Sequence, residues 1–128
     1  MIHEEVTLAG KPVNLGYCYA TEIAYKDLSG ENITDIIQDT VTGINATPSR
    51  MPDAKRSIHL VLAAIIAYYE CVKKEKPIKD IDIMSEATPV ELGKALGTII
   101  NLWAKFYNIP KGEPKDKPQK GKGKKAKN

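Results

Sequence analysis

Two histidines, two cysteines and one short run of carboxylates are the residues in this chain whose types suit chemistry. A general base needs an oriented partner, and a metal site needs several convergent ligands. His3 and His59 have no partner at ligand spacing, and His59 falls within an apolar run. Cys18 and Cys71 belong to no C-x-x-C pair or metal-spaced cluster. Cys18 opens an expected helix, where a thiol pKa falls, but no base stands near it in sequence. Cys71 reads as a small core residue. Asp80, Asp82 and Glu86, in D-I-D-I-M-S-E, lack the glycine and spacing of a calcium loop and read as a solvated face. A-G-K-P, from Ala9 to Pro12, holds glycine and lysine without phosphate-loop spacing and leads into a strand, so it reads as a turn. No catalytic constellation emerges. The expectation is a protein that is not an enzyme and uses no metal or other cofactor.

Charge divides the chain. From Lys111 to Asn128 there are eight lysines against Glu113 and Asp116, a net of +6. The first 110 residues carry 11 basic and 14 acidic groups, a net of −3. A nucleic-acid reading of this basic protein therefore applies to the tail alone. Cysteine is too sparse for a disulfide scaffold, which favours a reducing cytoplasm. The start, MIHEEVTLAG, has no basic region followed by an apolar run and is not read as a signal peptide. The longest apolar run, Ile58 to Val72, is too short for a membrane span and suits a buried helix.

The elements that must position any site are legible from periodicity and punctuation. Val6 and Leu8, then Val13 and Leu15, alternate with polar neighbours around A-G-K-P, which predicts a hairpin over residues 5–16. A hairpin is marginal alone, so it must pack on helices or on a second chain. Tyr17, Ala20, Ala24 and Leu28 fall at helical spacing, and Gly30 is the stop. Asn32 caps a short second helix with the stripe Ile33, Ile36, Ile37 and Val41. T-G-I-N-A-T-P-S-R-M-P reads as a loop. Pro52 suits the first turn of a long helix that is apolar on nearly every side, as the centre of a bundle must be, and Pro77 stops it. Thr88-Pro89-Val90-Glu91 is a capping box, followed by the stripe Leu92, Leu96, Ile99, Trp103 and Phe106. The expected fold is α+β and mostly α. A short N-terminal hairpin and four to five helices form a small bundle over residues 1–110, followed by a disordered basic tail over 111–128.

With no catalytic cluster, the candidate site is an apolar face for a protein partner. Trp103, Phe106 and Tyr107 on the last helix, with Tyr68 and Tyr69 on the long one, are the residues expected to form it. Val6 and Leu8, on an exposed edge strand, are expected to serve self-association into a homo-oligomer.

The order V-T-L-A-G-K-P-V-N-L-G-Y, then Y-A-T-E-I-A-Y-K-D-L-S-G, then N-I-T-D-I-I, with a last helix ending L-W-A-K-F-Y-N-I-P, resembles the tail assembly chaperones of long-tailed (siphovirus-like) phages and prophages. The resemblance covers residues 5–110 and is one of layout. It implies a chaperone that binds amphipathic helical segments of a tape measure protein during tail assembly, helps recruit tail tube subunits and works in the host cell cytoplasm. It also implies that a longer, frameshifted form can begin near Gly123-Lys124-Lys125. The tail, with Lys120, Lys122, Lys124, Lys125 and Lys127, has too little apolar surface to offset the entropy of ordering. As a polycation it contacts nucleic acid weakly and without sequence preference. The alternative reading is accordingly a small adaptor whose lysine-rich tail binds nucleic acid non-specifically.

Overall fold

Strand pairing begins at the second residue. A computed structural model describes residues 1–110; the tail with its lysines lies outside them. β1 (Ile2–Leu8) and β2 (Lys11–Tyr17) form a two-stranded antiparallel hairpin, in register from Ile2 opposite Tyr17 to Leu8 opposite Lys11. The strands outrun the expected 5–16 because Lys11 and Pro12 belong to β2, which leaves a two-residue turn. Ala9 and Gly10 supply it at φ 51 and 77, the consecutive left-handed pair that such turns require. For Ala9 that conformation costs roughly 1–2 kcal/mol. The offset comes from elsewhere in the chain, as described below.

Five helices follow: α1 (Tyr19–Ser29), α2 (Ile33–Ile44), α3 (Ala54–Val72), α4 (Asp80–Glu86) and α5 (Pro89–Phe106). The α+β, mostly helical architecture is as expected, and the D-I-D-I-M-S-E stretch forms the short helix α4. Gly30 ends α1 in the left-handed region, its N–H donating to the Lys26 carbonyl at 2.8 Å. The Asn32 side chain caps α2 by accepting from the Thr34 and Asp35 amides. α2 runs two residues beyond Thr42, into the stretch read as loop. α3 starts at Ala54, so Pro52 lies just before it: Asp53 is its cap and accepts from the Arg56 amide at 2.8 Å. The Thr88–Glu91 capping box of α5 is present in both directions.

α3 is the centre. Leu60 to Ile65 are all buried, and the helix packs against α1, β2, α4 and α5. The hairpin lies across α3 and α5, where Leu8, Val13, Leu15 and Tyr17 are fully buried. β2 approaches α3 so closely that a Cβ on Gly16 would stand 3.1 Å from the Tyr68 Cβ and crowd the Met1 sulfur, so a larger residue would need α3 to give way. No helix among the described residues is long and apolar enough to cross a membrane.

The phase of α1 differs from the expected one. Spacing suggested a buried stripe of Tyr17, Ala20, Ala24 and Leu28. The buried line is instead Tyr17, Thr21 and Tyr25, while Leu28 is 38% exposed. Tyr17 ends a strand, so it does not set the helix phase. Thr21 sets it: its hydroxyl donates to the Gly16 carbonyl at 2.9 Å and accepts from the Cys18 amide at 3.1 Å.

Candidate functional site

Rotating α1 onto Thr21 and Tyr25 turns other apolar side chains outward. Tyr19 is 68% exposed and Ile23, one turn on, 62%. Tyr107 and Ile109, just past α5, are also exposed. Ile23 forms a ridge between two shallow grooves. One, of about 400 Å³, is lined by Lys26, Asn32, Thr34 and Tyr107 among others. The other, of about 300 Å³, runs between α1 and α3 past Ala24, Leu28, Ile66 and Glu70.

The ridge is anchored from below by aromatic rings and one carboxylate. Phe106 stacks edge-on with Tyr19 at 5.1 Å and with Tyr107 at 5.0 Å, and lies tilted 5.3 Å from Tyr17. Glu22 accepts from the Tyr17 hydroxyl at 2.9 Å and from the Tyr107 hydroxyl. Burial, and then the Glu22 carboxylate, push the Tyr17 phenol far above its ordinary value. The bond to Glu22, and then burial, push the Tyr107 phenol up as well. Both phenols therefore stay protonated near neutral pH and donate. The end of α5 is tied to α1, which holds Tyr19 and Ile23 in fixed positions.

The five residues expected to form the partner face divide into two sets. Trp103, Phe106 and Tyr107 gather at the end of α5. Trp103 is only 7% exposed, with its indole N–H on the Thr34 hydroxyl at 3.4 Å, so it is a core residue. Phe106 is half-buried beneath Tyr19, and Tyr107 alone of the five is exposed. Tyr68 and Tyr69 stack on each other beside the hairpin, with His3 against Tyr68. Tyr69 is buried, and its hydroxyl accepts from the Asn14 amide at 3.1 Å. Leu8 is fully buried and Val6 half-buried against the same core. The hairpin spends these two side chains on its own helices, which removes Leu8 from any contact with a second chain.

His3 bonds Asn14 at 3.2 Å, and the half-buried His59 has no partner at Nδ1 among the described residues. Cys71 is exposed beside Cys18, and both thiols are free. No three His, Cys, Asp or Glu side chains gather around a common point among the described residues. Sequence reasoning missed Tyr19 and Ile23. Their signal was present as a Tyr/Ile pair four residues apart, off the stripe assigned to the core.

Neither a family model, nor a curated protein, nor a solved structure matches this chain.

Proposed function

We propose that this chain is an interaction protein without catalysis, a tail assembly chaperone that holds amphipathic helices of a phage tape measure protein. The observation that supports this most is the Tyr19–Ile23 ridge with Tyr107 beside it. Large apolar side chains held outward on a rigid helix mark a protein contact surface. Residues one helical turn apart match the stripe of an amphipathic helix, which docks through anchors at i, i+3 and i+4. The flanking grooves are shallow, so many related stripes fit and none is gripped. That suits a chaperone that must bind repeatedly and let go. The layout of hairpin and helices over residues 5–110 supports the same reading.

Co-expression with a helical tape measure segment tests it. The wild-type chain is expected to co-purify as a soluble complex, and Ile23→Asp is expected to abolish the complex while leaving the circular dichroism unchanged. Tyr19→Ala should weaken it several-fold, as loss of an aromatic anchor does. Undiminished binding by Ile23→Asp counts against this surface. The alternative adaptor reading rests on residues 111–128. It requires the full chain to retain nucleic acid at physiological salt, where a short polycation loses most of its affinity.

A further inference from the structure

The two edges of the hairpin differ. In a hairpin with a two-residue turn, the residues flanking the turn exchange hydrogen bonds and the pattern alternates from there. Leu8–Lys11, Val6–Val13, Glu4–Leu15 and Ile2–Tyr17 thus bond inward. Pro12, Asn14 and Gly16 direct their backbone groups outward from β2, and His3, Glu5 and Thr7 do so from β1.

The β2 edge is closed. Pro12 has no N–H to offer. The Asn14 amide donates to the Tyr69 hydroxyl at 3.1 Å, and the Gly16 carbonyl accepts from Thr21 at 2.9 Å. The β1 edge is open. Among the described residues, no group bonds the outward backbone N–H and C=O of His3, Glu5 and Thr7. Beside that edge runs a groove of about 650 Å³ between β1 and α5, walled by Glu4, Glu5, Val90, Lys94, Gly97 and Asn101. Gly97 has nothing within 4 Å of where a Cβ would stand, so the floor stays clear.

We propose that β1 is a docking edge that takes an extended, basic segment of a protein partner as a third strand in this groove. Strand addition gives such a segment a full set of backbone bonds, and alternate side chains give it specificity. Charge selects the occupant. Glu4 and Glu5 lie at the edge, and Glu91 is engaged by backbone amides, so two unengaged carboxylates line the groove against Lys94. A second copy of β1 fits poorly. The longest antiparallel register that matches outward groups opposes Glu5 to Glu5, and like charges directly opposite are unfavourable. This surface is separate from the α1 ridge, and the two stand or fall independently.

The test uses the full chain, labelled for amide NMR, and a short blocked peptide of alternating lysine and valine. Without peptide, the Glu5 and Thr7 amides should exchange rapidly; with it, they should become protected. A peptide N-methylated at every second amide should not bind, because it lacks one edge of donors. Thr7→Pro, which removes an outward N–H but no β1–β2 bond, should also block binding. Glu5→Lys should lower affinity about tenfold, the swing from an opposite-charge to a like-charge cross-strand pair. Amides already protected in the free chain would overturn the proposal, and sedimentation would then tell a second copy from the chain's own segment. Equal binding of the N-methylated peptide, or shifts confined to α1, would overturn it too.

Discussion

At the scale of the residue, Glu91 ties together more of the protein than its place in a capping box suggests. Its carboxylate accepts from the Thr88 amide at 2.9 Å, the Ala9 amide at 3.0 Å and the Gly10 amide at 3.1 Å. It therefore caps α5 and holds the left-handed turn in which Ala9 is strained. The amides of Thr88, Gly10 and Ala9 keep its carboxyl below the usual range against an opposing effect of desolvation. Arg56, bonded to Glu31 at 2.8 Å, does the same there. A carboxyl with a depressed folded pKa contributes stability that is complete above its unfolded pKa and is lost as pH falls through the folded value. Glu91→Gln should lower the melting temperature at neutral pH. That gap should narrow as pH drops below the ordinary carboxylate range, where the wild-type contribution is also gone. Melting curves across an acid series check this, and a pH-independent gap would show that Glu91 acts only by packing.

At the scale of the element, the joint between β2 and α1 decides which side chains α1 turns outward. Thr21 is fully buried and bonds both the Gly16 carbonyl and the Cys18 amide. Thr21→Val keeps the shape and removes the hydroxyl, leaving both backbone groups without that partner. The expected loss is about 1–3 kcal/mol in urea unfolding, the usual penalty for buried polar groups left unmade. Since this bond sets the phase of α1, the variant should also blur the ridge and weaken the proposed capture of an amphipathic helix. Stripe spacing in the sequence missed the phase because it treated Tyr17 as helical. A residue contributed by a strand and residues contributed by a helix can share one core without sharing one period.

At the scale of the whole molecule, α3 carries the architecture, with α1, β2, α4 and α5 packed against it. The described core draws every buried side chain from the first 103 residues. A chain ending at Pro110 is therefore expected to keep the circular dichroism and melting temperature of the full chain. A fall of several degrees would mean that residues beyond it contribute to the fold. The sequence by itself determined the hairpin, α1, α2, α3 and α5 and their order, while α4 went unread. Hairpin alternation, the Gly30 stop, the Asn32 cap, the Thr88–Glu91 box and an all-round apolar α3 are local signals, each written within one turn or a few strand residues. It also determined that Trp103, Phe106 and Tyr107 would gather, because they fall within about one turn at the end of α5. What only the tertiary structure decided is which apolar residues remain outside. Trp103 found Thr34 from 69 positions away, and Glu91 found the hairpin turn from more than 80. The Tyr19–Ile23 ridge and the open β1 edge are what those long-range bonds leave uncovered. Burial is set by what packs on a face, and no stretch of sequence carries the position of its distant neighbours.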